Sequence, residues 1–198
     1  MSESHPETTA QIRARMRAQR AALSDNEVQS ASYMITETLC RLPALQRASA
    51  IALYVAAFNE VDCAALAQRL EARGKQVYAP ILRKNDLVFA PAGSARIFNK
   101  NRYGIPEPAH RQSELRTPQQ LDIIVTPLVA FDRRCNRIGM GGGYYDRTLA
   151  FKKHRRNWRR PLAVGVAYSF QRVGAIQANT WDIPLDVVIT EKESYGSY

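Results

Sequence analysis

The segment GMGGGYYD, residues 139–146, places four glycines within five positions, although the chain has only 10 glycines among 198 residues. Because glycine weakens helices and strands, this cluster indicates either a tight turn or a backbone that approaches a ligand closely. It follows the apolar stretch LDIIVTPLVAFD, a predicted buried strand, and precedes a helix predicted from Tyr144 to Phe151. A loop in this position can bind an anion through its amides and the start of the helix. The spacing matches neither GxxxxGKS/T nor GxGxxG, so both explanations stay open.

The side chains beside the glycine cluster favour a phosphate ligand. Arg137 comes just before the loop, where a guanidinium can pair with a phosphate. Asp146 falls in the first turn of the predicted helix and can hold a magnesium ion. Tyr144 and Tyr145 can stack on a flat ring, or they can pack in the core.

Strands and helices alternate along the rest of the chain. We therefore predict a Rossmann-like α/β fold of three layers, in which a mostly parallel or mixed sheet carries helices on both faces. One domain is predicted over residues 1–198, with a flexible tail at 1–8. Ser24 and Glu27 have capping-box spacing, and Pro43 is predicted to end the helix that they begin. The predicted helices are 9–22, 24–42, 63–73 and 144–151, the predicted strands are 50–58, 76–82, 86–92, 121–132, 162–168 and 187–190, and residues 93–120 are predicted to be mostly loop.

The net charge of +10 resides in two basic segments. Residues 11–20 hold four arginines and residues 151–160 hold six lysines or arginines, and neither segment has an acidic residue. Such segments indicate anionic ligands or nucleic acid.

Other features of the sequence argue against a membrane protein and against a secreted protein. The apolar runs are far shorter than the roughly 18 residues of a membrane helix, and the N-terminus has no apolar signal core. Cys40, Cys63 and Cys135 form neither a metal pattern nor a disulfide framework. We predict a cytoplasmic protein, and a monomer is expected at this size.

The segment DIIVTPLVAFDRRCNRIGMGGGYYDRTL resembles the signature of the 5-formyltetrahydrofolate cyclo-ligase family. Further segments match the family in order: IRARMRAQRAALS, FNEVD, YGIPEP and WDIPLDVVIT. The resemblance implies an enzyme that uses ATP and Mg²⁺ to close 5-formyltetrahydrofolate into 5,10-methenyltetrahydrofolate, releasing ADP and phosphate. It implies phosphorylation of the formyl oxygen and no covalent enzyme nucleophile, so alignment and charge neutralisation carry the catalysis.

The resemblance also implies the site residues. Asp146 and Asp186 would contact magnesium, and Glu60 would bind the row of hydrogen-bond donors on a pterin. Each assignment has a structural alternative, in which Arg13 is a solvated helix residue, Glu60 braces a strand end and Asp186 is a turn residue. The implied ATP contacts are Arg13, Arg137, Ile138, Gly139, Met140, Gly141, Gly142, Gly143, Tyr144 and Tyr145, and the implied folate contacts are Val55, Ala57, Glu60, Tyr103 and Tyr144.

The chain departs from the family pattern at two positions. Thr9 stands where the family usually has a lysine or arginine, so a phosphate contact is either lost or supplied by Arg15 or Arg17. Cys135 stands where the family has glycine, so it is strained if that turn needs a positive φ.

Two other functions compete with the cyclo-ligase hypothesis. The basic segments, with Trp158 among the cations of the second, are also typical of non-specific nucleic-acid binding. The second competing function is that of an ATP-dependent ligase with the same fold that acts on another N-formyl compound. A polyglutamylated folate tail would be attracted to the same basic surface.

Overall fold

The computed structural model describes residues 7–93, 96–154 and 160–196. Most of the predicted tail, and residues 155–159 of the second basic segment, lie outside this range. The α-helices are α1 (Thr9–Ala21), α2 (Asp25–Arg41), α3 (Pro43–Arg47), α4 (Ala64–Ala72) and α5 (Tyr144–Leu149). Short 3-10 helices cover Gln112–Glu114, Pro118–Gln120, Ala150–His154 and Ser169–Gln171. The strands are β1 (Ala50–Ala52), β2 (Gln76–Arg83), β3 (Asp86–Pro91), β4 (Phe98–Lys100), β5 (Pro106–Pro108), β6 (Ile123–Thr126), β7 (Ala130–Phe131), β8 (Arg137–Ile138), β9 (Leu162–Val166), β10 (Val187–Ile189) and β11 (Ser194–Gly196).

The main sheet has seven strands in the order β11-β10-β9-β6-β1-β2-β3. The five central strands are parallel, while the edge strands β3 and β11 pair antiparallel with their neighbours. Two-stranded ladders join β4 to β5 and β7 to β8. The expected mostly parallel sheet is therefore confirmed.

Alternating residues of the central strands face two separate cores. Ile51 and Val164 pack with buried residues of α2, α3 and α4 on one face. Ala52 and Ala163 pack on the opposite face with Leu149 of α5. Because strand side chains alternate between faces, apolar residues at every position of a central strand are buried on both sides. The predicted three-layer α/β architecture is confirmed. None of the described helices is both long enough and apolar enough to cross a membrane.

The helix boundaries follow local side-chain chemistry. The Ser24 hydroxyl accepts a hydrogen bond from the Glu27 amide, and the Glu27 carboxylate accepts one from the Ser24 amide, so the predicted capping box begins α2. Pro43 does follow the end of α2, but it also occupies the first turn of α3, which the sequence did not predict. Proline suits that position because its missing amide hydrogen has no helical partner there.

Several predicted strand bounds were wrong. β1 ends at Ala52 rather than at residue 58, because the chain beyond Leu53 leaves its neighbours to form the wall of a cleft. The predicted loop 93–120 contains the β4–β5 hairpin and two 3-10 helices, and β11 was not predicted. Pro127 interrupts the predicted strand 121–132, which divides into β6 and β7.

The order of the parallel strands creates an opening beside β1. From β1 the chain moves outward to β2, then returns to the other side of β1 and adds β6, β9 and β10. The segments that leave the carboxyl ends of β1 and β6 consequently turn in opposite directions. Ligands of doubly wound folds bind in the crevice at this reversal.

The turn between β7 and β8 contains Cys135 with φ of +62°, so this position does adopt the left-handed conformation that favours glycine. The side chain of Asp132 fixes the turn by accepting hydrogen bonds from the Arg134 and Asn136 amides, at 2.9 and 3.0 Å. Cys135 is buried, and its strain is held in place by this turn.

Replacing Cys135 by glycine and by alanine measures that strain. Both variants remove the same thiol, but only Cys135→Gly removes the Cβ that disfavours a left-handed residue. We expect the glycine variant to be more stable than the alanine variant by roughly 1 kcal/mol, after allowing for the greater freedom of glycine in the unfolded chain. Urea unfolding of both variants gives the difference, and an alanine variant equal to or better than the glycine variant contradicts it.

Candidate functional site

A cleft of about 480 Å³ opens at the reversal between β1 and β6. Tyr54 and Val55, which follow β1, and Pro127 and Leu128, which follow β6, form its base. The glycine loop and the tip of the β4–β5 hairpin form its sides. The cleft is mostly apolar, with a small number of charged groups, as is typical of sites for small organic ligands.

The glycine loop is held from outside the cleft by two arginines. Arg13 of α1 donates from Nε to the Gly139 carbonyl at 2.8 Å, and Arg147 of α5 donates from Nη2 to the Gly142 carbonyl at 2.7 Å. Gly141 has φ of +103° and Gly143 has φ of +63°, conformations that residues with a Cβ rarely adopt. The glycines therefore permit a path that two charge-assisted hydrogen bonds fix.

Arg137 and Asp146 form an ion pair at the rim of the loop. Arg137 Nη2 lies 2.7 Å from Asp146 Oδ1, which also accepts a hydrogen bond from the Ile183 amide at 3.2 Å. Arg137 additionally donates to the Ile183 carbonyl. The Arg137 side chain is 4% exposed and that of Asp146 is 25% exposed, so the carboxylate is the more accessible partner. Burial lowers the pKa of Arg137 from its ordinary value, and the charge of Asp146 opposes that shift.

Asp186 does not join Asp146 in the cleft. Its carboxylate accepts hydrogen bonds from Lys152 Nζ and the Ala163 amide, both at 2.6 Å. Asp186 directly precedes β10 and Ala163 lies near the beginning of β9, so this cluster occupies the opposite edge of the parallel sheet from the cleft. The carboxylate joins the beginnings of two strands to the 3-10 helix that carries Lys152.

Glu60 contributes a partly buried carboxylate, with a side chain that is 10% exposed, to the other side of the cleft. Its Oε2 accepts a hydrogen bond from the Ala57 amide at 3.2 Å, and its Oε1 lies 3.5 Å from Nη1 of Arg20. Burial raises the pKa of Glu60, while the charge of Arg20 and the Ala57 hydrogen bond lower it. The nearby positive charge thus offsets part of the cost of burying a carboxylate.

Tyr103 and Tyr144 connect the hairpin tip to α5 across the mouth of the cleft. Their hydroxyl groups are 3.1 Å apart, their rings meet edge to face, and Arg102 Nη2 donates to the Tyr144 hydroxyl at 2.8 Å. The hydrogen bonds from Tyr103 and Arg102 lower the pKa of Tyr144. The bond to Tyr144 raises the pKa of Tyr103.

The structure brings together most of the side chains that the sequence singled out. Arg13 contacts the loop from behind, Ile138 is buried against Met16 of α1, and Gly141 lies on the exposed side of the loop. Tyr145 lines the cleft and also packs against the core. The predicted residues that line the cleft are Val55, Ala57, Glu60, Tyr103, Arg137, Gly139, Met140, Gly142, Gly143, Tyr144, Tyr145 and Asp146.

Sequence reasoning missed three contributors to this site. Phe58, exposed on the cleft wall, and Glu107, which binds the Leu82 amide and Asn101 of the hairpin, lie inside the FNEVD and YGIPEP segments. Arg20 lies inside the matching segment IRARMRAQRAALS, and its seven-residue spacing from Arg13, which places both on one helix face, was a second signal.

Comparison with known proteins identifies consistent relatives. The sequence profile of the 5-formyltetrahydrofolate cyclo-ligase family matches residues 5–191. The chain is 37% identical over 185 residues to the 5-formyltetrahydrofolate cyclo-ligase of Haemophilus influenzae, covering 90% of this chain and 96% of that protein. It is 33% identical over 180 residues to the Escherichia coli K12 protein of the same name, covering 88% and 96%. The NMR structure of Aquifex aeolicus 5,10-methenyltetrahydrofolate synthetase matches with a TM-score of 0.80 at 32% identity, covering 95% and 92%.

The contact between Tyr103 and Tyr144 predicts a specific titration behaviour. Because its hydrogen bonds lower its pKa, Tyr144 should ionise at lower pH than a free tyrosine. In a spectrophotometric pH titration, Tyr144→Phe should remove this early ionisation and Tyr103→Phe should move it to higher pH. The control Tyr33→Phe, at an exposed position on α2, should leave the early ionisation in place. An early phase that persists in Tyr144→Phe contradicts the assignment.

Proposed function

The chain belongs to the 5-formyltetrahydrofolate cyclo-ligase family, and from that premise we propose that its cleft closes 5-formyltetrahydrofolate into 5,10-methenyltetrahydrofolate with ATP as the second substrate. One observation carries the proposal. The cleft has the glycine loop with Arg137 and Asp146 on one side, and the carboxylate of Glu60 on the other. Such a cleft can hold a phosphate chain and a flat heterocycle next to each other.

The glycine loop is the proposed ATP site. Its glycines let the backbone approach the phosphate chain without a clash from a Cβ. Arg13 holds the Gly139 carbonyl on the outer side of the loop, and Arg137 lines the cleft on the inner side. Arg13 is proposed to act mainly through the loop, since its Nε is already bound there.

Asp146 is the proposed magnesium ligand. Within the described part of the chain, no group of three or more His, Cys, Asp or Glu side chains is arranged to hold a metal ion. A site with a single carboxylate suits magnesium, because this ion is usually held by one or two carboxylates together with substrate phosphates and water. The ion would neutralise negative charge on the phosphates. Asp186, paired with Lys152 at the far edge of the sheet, is left out of this proposal.

Glu60 is the proposed partner of the folate ring system. A pterin presents a row of N–H donors, and a carboxylate can accept two of them side by side. Val55 and Ala57 supply apolar wall at the same side of the cleft, while Tyr103 and Tyr144 cover its mouth. An apolar enclosure strengthens such hydrogen bonds by excluding water.

The chemistry requires a better leaving group than the formyl oxygen. In the proposed reaction the γ-phosphoryl group of ATP moves to that oxygen and ADP forms. The second folate nitrogen then attacks the formyl carbon and loses its proton, the carbon–oxygen bond breaks, and the oxygen departs with phosphate. The protein aligns the substrates and stabilises charge, which together can account for large accelerations.

The internal contacts of the basic residues favour this function over nucleic-acid binding. Arg13 binds the glycine loop, Arg15 pairs with Glu7 at 2.6 Å, and Arg20 is buried beside Glu60. Two of the four arginines in the first basic segment are therefore engaged within the protein, and the charge of an exposed third, Arg15, is balanced by Glu7. The enzyme is proposed to work as a cytoplasmic monomer.

The proposal is tested by mixing purified protein with MgATP and 5-formyltetrahydrofolate and following the near-ultraviolet absorbance of the methenyl product. We expect the absorbance to rise only when ATP is present. A folded protein that gives no ATP-dependent product, or that acts equally on another N-formyl compound, contradicts the assigned substrate.

Asp146→Asn should reduce turnover far more than it reduces folate affinity. The amide keeps an oxygen for Arg137 and Ile183 but removes the charge that would hold magnesium, so we expect kcat to fall about 100-fold, as for loss of one transition-state contact. Asp86→Asn, at an exposed position on β3, is the matched control. Steady-state kinetics give both parameters, and near-normal turnover in Asp146→Asn contradicts the magnesium assignment.

Glu60→Gln should reduce folate affinity more than it reduces turnover. The amide offers one acceptor instead of two and no charge, so the KM for 5-formyltetrahydrofolate should rise about tenfold, which is the effect of losing roughly 1.4 kcal/mol. The KM for ATP in the same variant is the internal control and should change little. An unchanged folate KM removes Glu60 from the folate site.

A further inference from the structure

Arg20 is a fully enclosed charged residue whose guanidinium reaches the cleft wall. It lies at the end of α1 with a side chain that is 2% exposed. Its Nε donates to the Phe58 carbonyl at 3.0 Å, and its Nη1 lies 3.5 Å from Glu60 Oε1. One guanidinium thus contacts both the backbone and the carboxylate of the turn that carries Glu60.

That turn has an unusual backbone. Phe58 and Asn59 are consecutive non-glycine residues with φ of +52° and +55°. Asn59 Nδ2 donates to the Arg20 and Leu23 carbonyls at 3.2 and 3.3 Å, and the Tyr168 hydroxyl donates to the Asn59 carbonyl at 3.1 Å. Backbone of this kind persists only where its surroundings fix it, and it is concentrated at functional sites.

Helix α1 therefore holds both sides of the cleft. Arg13 and Arg20 are seven residues apart, about two helical turns, and so point from one face of the helix. Arg13 binds the glycine loop, Arg20 binds the Glu60 turn, and Met16 between them is buried against Ile138. The helix sets the two loops at a fixed separation.

A requirement of folding alone does not explain Arg20. Replacing a buried ion pair by well-packed apolar side chains is often neutral or stabilising, so burial of Arg20 is weak support for a purely structural role. Its fork geometry, in contrast, suits the simultaneous fixing of a carbonyl and a carboxylate.

We propose that Arg20 is a positioning residue that orients Glu60 and keeps it ionised for the folate substrate, without touching the substrate itself. This inference rests on the proposed function, since it assigns Glu60 to the folate side of the cleft.

The other titratable groups around Glu60 are neutral, so Arg20 supplies the charge that stabilises its carboxylate. Tyr54, Cys63, Tyr145 and Tyr168 face Glu60, and burial raises the pKa of each, to about 12 for Cys63 and Tyr168. These four groups are consequently neutral near pH 7. The positive charge that lowers the pKa of Glu60 is that of Arg20. Without Arg20, the pKa of Glu60 should rise further, so that the carboxylate becomes protonated at higher pH.

The experiment compares Arg20→Lys and Arg20→Met with the wild type and with Arg41→Met, a control at an exposed arginine of α2. Binding of 5-formyltetrahydrofolate and of MgATP is measured separately by calorimetry across a pH series, together with steady-state kinetics and thermal unfolding. Asn59→Gly is added as a second test, for the case in which an Arg20 variant does not fold. Glycine allows the left-handed turn but removes the side-chain hydrogen bonds to α1, so the turn should loosen.

We expect the folate dissociation constant to rise roughly tenfold or more in both Arg20 variants, as for loss of a buried charged partner. The MgATP dissociation constant should stay within about twofold, which is close to the scatter of independent sites. Folate affinity of Arg20→Met should recover as the pH rises and Glu60 ionises, while Arg20→Lys, which retains a charge, should recover less. Asn59→Gly should weaken folate binding selectively, and Arg41→Met should change neither constant.

Two results would overturn the inference. One is folate affinity that is unchanged in folded Arg20 variants or, where these do not fold, in Asn59→Gly. The other is a parallel loss of folate and MgATP affinity with no pH-dependent recovery, which indicates a structural role only. Failure of the proposed function has a different signature, because the wild-type protein then forms no methenyl product or does not bind 5-formyltetrahydrofolate at all.

Discussion

The reversal of winding between β1 and β6 is the constraint on which the site depends. Parallel strands need crossovers, and here the crossover from β1 to β2 and the crossover from β6 to β9 run in opposite directions, so the carboxyl ends of β1 and β6 are left uncovered. The cleft occupies that opening, and Tyr54 and Pro127 lie just beyond the ends of the two strands. The glycine loop, the tip of the β4–β5 hairpin and the turn that carries Glu60 meet around this opening.

The meeting of distant segments depends on arginines that serve as braces. Arg13 and Arg147 hold carbonyls of the glycine loop, Arg137 holds Asp146, and Arg20 holds the Glu60 turn. The charge-assisted hydrogen bonds of Arg13, Arg20 and Arg137 are partly buried, where such bonds are stronger than at the surface, while the bond from Arg147 is exposed. Two of the four arginines of α1, Arg13 and Arg20, therefore fix the two sides of one cleft.

The sequence predicted the parts of this site that are contiguous. The strand, glycine loop and Asp146 lie within one short segment, and apolar strands with capped helices indicated the three-layer fold. It placed Asp186 directly before the predicted strand 187–190 but could not show that this strand runs parallel to β6, which puts Asp186 at the opposite end of the parallel strands from the cleft. Nor did it reveal that Arg20 reaches Phe58 and Glu60, about 40 positions further along the chain. The run 50–58 predicts one strand, because its apolar composition continues after the hydrogen-bonded ladder has ended.

The central claim is that one cleft brings ATP and the formyl oxygen of 5-formyltetrahydrofolate together for direct transfer of the γ-phosphoryl group. The most direct measurement uses 5-formyltetrahydrofolate labelled with ¹⁸O in the formyl group and determines the mass of the inorganic phosphate released. Direct transfer predicts that each phosphate formed with a methenyl product carries the labelled oxygen. Unlabelled phosphate, with the label appearing in water, contradicts phosphorylation of the formyl oxygen and requires a different use of ATP.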